Sequence, residues 1–451
     1  MTSPLRLAAI VAAVLSLAAC ATPGIDDAVL QTNAAIPGFT QGKLELGRSA
    51  DQLRARGQLA AQLLAGPLAM DGAVQLALAN SPAVQALVAD SWGEIAAADQ
   101  SGRMANPVFT FERMRLRDEL ELGRLLSFGL LDLVTLPRRR ALARVQGEQA
   151  RVQLAANVVD QVSQVRMAWV RAVASKQSLA YAQQVNDAAQ AGAELARRMQ
   201  QVGNFSKLQR ARQHAFYADA AAQLASARQA SLAAREELVR LLGLTDAQAE
   251  GLQLPERLPD LPALPRDAAS VTAAALQQRL DVQLARLRLD AAGKAQGLDL
   301  LASVVDVELG LRHDTVFDAG DRANRNGYEL AIRLPLFDWG ASRRAALDAQ
   351  SLAAANRYEG VARAASSQLR QSYAAYRTAY ALARHYRDEI VPLRKTMQEE
   401  NVLRYNGMLI GVFELLAETR DQVASVIAAI EAERQFWLAD AALSSALIGT
   451  P

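Results

Sequence analysis

Arg138–Gln201 and Ala341–Tyr405 each carry an uninterrupted helical pattern, about 64 residues long in the first case. At 1.5 Å per residue a helix of that length runs roughly 95 Å. No compact globular core buries such an element. Helices of this kind belong to coiled coils or helical tubes. The seams agree with this. Leu416, Thr419, Val423, Val426, Ile430, Glu433 and Trp437 follow alternating spacings of three and four, as do Leu369, Tyr373, Tyr376, Tyr380, Ala383, Arg387 and Ile390. A third run is Ala220, Leu224, Ala227, Ser231, Ala234, Leu238 and Leu241. Small and polar seam residues fit helices packed side by side in a tube wall, and Ala-rich dimeric coiled coils share the pattern. Hydrophobic residues make up 51% of the 451-residue chain but aromatics only 5%. That excludes a disordered chain and suits close packing through small side chains. The net charge of +2, with both signs interspersed, gives no clustered basic face for nucleic acid.

The long helices belong to a plan that occurs twice, from about Asp71 to Leu244 and from about Asp267 to Gly449. Each half opens with an amphipathic helix, Ala73–Arg103 and then Ala268–Leu301. Two strand-like runs follow, ending in Leu136-Pro137 and Leu334-Pro335. The long helix comes next. It breaks at Gly203 or Gly407 and a shorter helix returns. The prolines are 198 residues apart and the break glycines 204. Pro137 and Pro335 are therefore read as strand-to-helix junctions. Between the halves, Leu254–Pro265 carries four prolines at short spacing, which forbids a helix and favours an extended linker. The divisions are 1–19, 20–70 (anchor and linker), 71–250 (first repeat), 251–267 (linker) and 268–451 (second repeat). Strands are expected at about 108–133 and 305–335, and long helices at about 138–243 and 341–449.

The strands alternate. Val305, Val307, Leu309 and Leu311 face one way, Asp306, Glu308 and Arg312 the other; Tyr328, Leu330, Ile332 and Leu334 oppose Glu329 and Arg333. Such alternation fits a soluble sandwich or a membrane barrel wall. His313–Gly327 is polar and reads as an external loop. In the first half, Phe109 and Phe111 oppose Thr110 and Glu112. Leu120, Leu122, Leu126, Phe128 and Leu130 share one register, with Arg124 interrupting. Four strands cannot close a barrel, since the smallest membrane barrels have about eight. An open edge in lipid leaves backbone groups unsatisfied. Membrane-spanning strands here would therefore require several chains.

The N-terminus has Arg6 followed by the apolar run Leu7–Leu17, too short to span a membrane. Leu17-Ala18-Ala19-Cys20 resembles the lipobox of bacterial lipoproteins. In that class residues 1–19 are removed and the new N-terminal cysteine, here Cys20, is acylated with palmitate-type chains. Ala21 after it favours sorting to the outer membrane. Cys20 is the chain's single cysteine, which excludes an intrachain disulfide.

The lipobox, the duplicated plan and three motifs together resemble the TolC-like outer-membrane factor family, lipoprotein type. Leu334-Pro335-Leu336-Phe337-Asp338-Trp339-Gly340 is similar to its "LPLFDxG" strand-to-helix signature. Tyr405-Asn406-Gly407 followed by Glu414-Leu415-Leu416 is similar to its "YxxG…DxL" turn, and Ala73–Pro82 to its "AxxLALxxNP" opening. The resemblance covers about Asp71 to Gly449. It implies a mainly α chain with a small membrane β-barrel contribution. Three protomers would form an α-barrel tunnel plus a barrel sharing four strands from each. It implies an outer-membrane channel of a tripartite efflux or export system, extending into the periplasm. Its partners would be the homotrimer, a periplasmic adaptor (membrane fusion) protein, an inner-membrane pump and outer-membrane lipid. It implies no cofactor beyond the lipid on Cys20. The helix turns would form the periplasmic tip, giving Gly203, Asn204, Phe205, Ser206, Gly407, Gly411 and Glu414 as adaptor-contact candidates; plain helix-turn chemistry also accounts for the glycines. Gly203–Arg210 and Asn406–Leu416 look slightly more like heavy-metal efflux relatives than drug ones. Two departures stand out. Arg279-Leu280-Asp281 replaces the family's Arg-Pro-Asp, altering a helix start. Phe413 stands where an aspartate is frequent, so any acidic constriction ring falls to Glu414.

No catalytic constellation is present. His214, His313 and His385 lie far apart without metal-ligand spacing, and no Gly-rich phosphate loop occurs. The chain reads as a non-enzyme moving cargo passively. The rival reading is a periplasmic coiled-coil lipoprotein scaffold without a pore. It explains the helices and lipobox but leaves the alternating strands unexplained.

Overall fold

The computed structural model describes residues 24–267, 279–302, 306–318, 321–333, 337 and 339–449. Cys20, the signal segment 1–19, Pro335 and most of the "LPLFDxG" motif lie outside the described residues. Helices α1 (Ile25–Ala35), α2 (Pro37–Thr40) and α3 (Ala50–Leu63) precede the repeats. The first repeat contains α4 (Met70–Asn80), α5 (Pro82–Ser101), β1 (Val108–Leu116), β2 (Glu119–Gly129), α6 (Leu130–Gln201) and α7 (Lys207–Leu242), followed by the short α8 (Asp246–Glu250). The second contains α9 (Leu280–Ala302), β3 (Asp306–Asp318), β4 (Asp321–Arg333), α10 (Ala341–His385), α11 (Val391–Asn406) and α12 (Val412–Ile448). The helix–strand–strand–long helix–helix order thus occurs twice. The chain divides into a strand-bearing unit including Ala89–Leu154 and Asp281–Ala362, and an all-helical unit of Leu30–Val88, Ala155–Leu280 and Arg363–Pro451.

The strand-bearing unit holds one antiparallel sheet, ordered β1-β2-β3-β4. Its pairing runs without a bulge, from Val108↔Ser127 to Leu116↔Glu119, Leu120↔Phe317 to Gly129↔Glu308, and Asp306↔Arg333 to Asp318↔Asp321. Among the described residues, β1 and β4 are each paired on one side only. The helices entering and leaving are fastened locally. Arg138 donates to the Gly297 carbonyl at 2.8 Å, and Arg139 to the Arg103 carbonyl at 3.0 Å. Arg344 donates to the Trp339 carbonyl at 2.9 Å.

In the helical unit the expected seam of α10 is buried, whereas α12 buries Ala432, Phe436 and Leu443 in place of the expected Glu433 and Trp437, which are half-buried. Leu369, Tyr376, Tyr380 and Ala383 of α10 pack on Ala432, Phe436 and Leu443 of α12. Phe436 meets Tyr380 and Trp437 edge-on at 5.7 and 5.1 Å. The extended Pro-rich linker lies along this seam, and its backbone needs partners because it joins no sheet. Helix side chains supply them. Tyr380 Oη donates to the carbonyls of Pro262 and Ala263, both at 3.0 Å, and Trp437 Nε1 to that of Pro259 at 3.1 Å. Lys176 donates to the Leu254 carbonyl at 2.6 Å, and Arg235 to that of Leu252 at 3.0 Å.

Four expectations are corrected. The opening helix of the first repeat is two helices, because Ser81 precedes Pro82 and takes an extended ψ of 120°; a residue before proline avoids the helical region. The first strand-to-helix junction lies at Gly129, and Pro137 sits inside α6. Pro137 lacks the N–H that would reach the Leu133 carbonyl, and Leu133 is exposed. The second long helix is interrupted by a π-turn at Tyr386–Ile390. There Val391 N–H reaches back to the Tyr386 carbonyl, a wider turn placed directly before Pro392. As a result Tyr386 is half-buried and Arg387, assigned to the seam, is exposed. Finally, most of His313–Gly327 is strand, because the hairpin continues through Asp318 and Asp321 by backbone pairing that needs no apolar residue.

Candidate functional site

Opposed residues of an antiparallel ladder share a face, and successive residues alternate. The register therefore sorts every strand side chain. One face carries three apolar rows nearest the helices. These are Val307–Ile332; Phe128–Leu309–Leu330; and Phe109–Leu126–Leu311–Tyr328. Of these, Phe109, Leu311, Tyr328, Leu330 and Ile332 are exposed. The other face carries nine carboxylates, Glu112, Glu119, Glu121, Asp306, Glu308, Asp314, Asp318, Asp321 and Glu329, against Arg312, Arg325 and Arg333, with Val108, Met114, Leu116, Leu125 and Val316 among them. Arg312 holds Asp314 at 2.9 Å, Glu112 at 3.3 Å and Glu329 at 4.0 Å. Gly123 makes room between them. A Cβ there would lie 3.3 Å from both Asp314 Oδ1 and Glu112 Cβ.

The helical unit carries both turns singled out in the sequence. After α6, Gly203 takes φ +83°, and the Asn204 and Phe205 N–H groups return to the Met199 carbonyl at 2.9 and 3.2 Å. Ser206 then caps α7. Its hydroxyl accepts from Gln209 N–H, whose side chain accepts from Ser206 N–H. In the second turn Gly407 has φ −78°, and it is Met408 that takes the left-handed conformation, φ +58°. Leu409 N–H returns to the Arg404 carbonyl at 2.8 Å, and Gly411 occupies the N-cap of α12 without a side-chain cap. The structural counterpart of Gly203 is therefore Met408, one residue beyond the glycine the sequence points to. Glu414 lies exposed in the first turn of α12. Met408 is 93% exposed and Leu409 73%, so the turn projects apolar side chains. Nearby, Arg420 lies over the Phe216 ring at 4.5 Å and donates to the Arg212 carbonyl at 3.2 Å. Salt bridges from Arg197 and Arg198 hold the Glu194 carboxyl down at about 2.

A left-handed non-glycine residue costs about 1 kcal/mol. Met408→Gly is therefore expected to stabilise the protein by up to that amount in thermal unfolding. Gly407→Ala should cost less than a left-handed glycine would. Equal and opposite results would reject the reassignment.

Glu433, a polar seam position, titrates in the neutral range. Burial, and then the Asp260 carboxylate, push it from 4.5 to about 7, against Arg257 and Arg387. A raised carboxyl binds its proton more tightly in the folded chain, so stability falls as pH rises from 4.5 to 7. Glu433→Gln should flatten that decline in pH-dependent melting.

Among the described residues, no helix is long and apolar enough to cross a membrane, and no His/Cys/Asp/Glu group could hold a metal. No protein-family model and no curated protein matches the chain. Solved structures do match. The outer-membrane channel OprN superposes with a TM-score of 0.69 at 17% identity, covering 90% of this chain and 94% of that one. The outer membrane protein VceC from Vibrio cholerae gives 0.69 at 18%, covering 84% and 96%. The Campylobacter jejuni CmeC outer membrane channel gives 0.69 at 13%, covering 89% and 86%. The chain has the fold of these outer-membrane proteins, of which OprN and CmeC are named as channels.

Of the residues read as tip candidates, Gly203, Asn204, Phe205 and Ser206 fall in one turn, and Gly407, Gly411 and Glu414 in or beside the other. The sequence reading missed Met408, whose role had no sequence signal. It also missed Arg113, Arg115 and Arg322, which the register places on the same face as Phe109 and Phe111.

Proposed function

We infer that this chain is one protomer of a homotrimeric outer-membrane channel, the exit duct of a tripartite efflux or export system. It conducts cargo passively outward from a periplasmic adaptor and an inner-membrane pump. The observation that carries the reading is the sheet. One face is apolar where lipid would lie and the other is charged, as a water-filled lumen requires. With β1 and β4 open, lipid immersion demands further strands, and three copies would supply twelve. Phe337 and Trp339, 100% and 63% exposed beside the helix end of the sheet, suit the membrane interface. Residues 71–250 and 268–451 are taken as copies joined by the linker 251–267. The turns at Gly203–Ser206 and Gly407–Glu414 are the adaptor-facing tip. Cys20 carries the lipid anchor after removal of residues 1–19. A coiled-coil scaffold without a pore gives no reason for an apolar sheet face.

The test is conductance of the purified full chain in planar bilayers. Stable steps with reversal potentials favouring K⁺ over Cl⁻ are expected, because nine carboxylates face three arginines on the charged wall. The acidic wall suits metal or drug cations as cargo. Absence of any pore, together with a soluble monomer free of detergent, sinks the channel. In the same preparation, Cys20→Ala should lose incorporated radiolabelled palmitate and keep its conductance.

A further inference from the structure

The apolar face of the sheet changes character partway along the strands. Beyond the three apolar rows come Phe111–Arg124–His313–Asn326, then Arg113–Leu122–Thr315–Asn324, then Arg115–Leu120–Phe317–Arg322. Rows are two residues apart, roughly 7 Å. The first arginine thus stands one row past the last apolar row, and the others continue to the hairpin ends. This face carries four arginines and no Asp or Glu in any of the six rows, whereas the opposite face carries nine carboxylates. None of the four forms an ion pair among the described residues. Arg113, Arg115 and Arg322 are exposed and Arg124 half-buried. Arg124 donates to the Thr315 hydroxyl at 3.4 Å, Arg115 to the Arg117 carbonyl at 3.4 Å, and Arg322 lies over the Phe317 ring at 5.9 Å. Leu120, Leu122 and Phe317 are interleaved with them, as amphipathic contact with a headgroup layer requires.

We propose that these rows form a binding belt for the phosphate groups of anionic lipid in the leaflet farther from the helices. The assignment rests on the channel reading above, which places the apolar rows in hydrocarbon and the hairpin ends outward. Guanidinium forks match phosphate oxygens two at a time. Without carboxylates on this face, the lipid phosphate is the available counter-charge. Arginines near a charged membrane surface attract anionic headgroups, and four on one face bias the surrounding lipid together.

The experiment reconstitutes the full chain and the variant R113Q/R115Q/R124Q/R322Q into phosphatidylcholine vesicles containing one part in ten diphosphoryl lipid A. Lipid retained after detergent extraction is counted by native mass spectrometry, and single-channel conductance is recorded from the same vesicles. The wild type should enrich diphosphoryl lipid A at least about ten-fold over phosphatidylcholine, and the variant should lose that enrichment while conducting normally. Inorganic phosphate at millimolar concentration should not displace the lipid. A conducting wild type without enrichment, enrichment unchanged in the variant, or displacement by free phosphate overturns the lipid belt and leaves the channel standing. Failure of the wild type to insert and conduct overturns the channel reading and the belt with it.

Discussion

Gly243→Ala is expected to destabilise the protein by about 3–5 kcal/mol, while Gly203→Ala costs about 1. Both glycines end a long helix in the left-handed region, at φ +64° and +83°. Their surroundings differ. A Cβ at Gly243 would stand 2.4 Å from Pro82 Cδ, 2.7 Å from Ser81 Cα and 3.2 Å from the Asn80 carbonyl oxygen, whereas at Gly203 it meets nothing within 4 Å. The atoms around Gly243 are mostly backbone and a proline ring, which cannot swing aside. The site is tied further by Asn80, whose amide donates to the Gly243 carbonyl at 2.8 Å and the Leu242 carbonyl at 3.3 Å. A new methyl therefore forces the α4–α5 break away from the end of α7. Thermal unfolding followed by circular dichroism measures both variants. Comparable losses at the two positions would show that backbone conformation alone sets the cost.

Arg279→Met should cost about 3 kcal/mol, with Arg279→Lys recovering only part of it. Arg279 is fully buried. Its guanidinium donates to the Ala446 carbonyl at 2.6 Å, to Gln368 Oε1 at 3.0 Å and to the Ala365 carbonyl at 3.4 Å. Ala446 lies in the last turn of α12, where carbonyls lack intrahelical donors and the helix end is negative. The arginine thus caps α12 and ties it to α10. Methionine fills the volume but strands three acceptors. Lysine keeps the charge but cannot span them with one nitrogen. The same melting assay reads the result, and a Met variant as stable as wild type would remove the capping role. Leu280 begins α9 directly after it, so replacing the Pro of Arg-Pro-Asp leaves the helix start in place; proline and leucine are both tolerated at a first helical position.

The division of the sheet into an apolar and a charged face was legible in the sequence. Alternation follows from the strand's two-residue period, which each residue obeys without reference to distant partners. Even Arg124, which interrupted the apolar register, sits on the face the alternation assigned it. The buried seam of α10 was legible for the same reason, since Leu369, Tyr376, Tyr380 and Ala383 follow the helix period, whereas α12 turns Ala432, Phe436 and Leu443 inward beside the expected Glu433 and Trp437. Where the period was disturbed, reading failed. Pro392 widened its helix into a π-turn and rotated the next contact from Arg387 to Tyr386. Backbone pairing carried β3 and β4 through a polar stretch that composition marks as loop.

The sequence by itself determined the duplicated order of elements, the buried face of α10 and the two-sided sheet. These follow from local geometry repeated along one chain. Only the tertiary structure decided which left-handed glycine is irreplaceable, that Met408 rather than Gly407 turns the second hairpin, and that Arg279 caps a helix 167 residues away in the chain. It also aligned Arg113, Arg115, Arg124 and Arg322 on one face. Each of these depends on which distant backbone or side chain comes to lie within a few ångströms, and no local period encodes that.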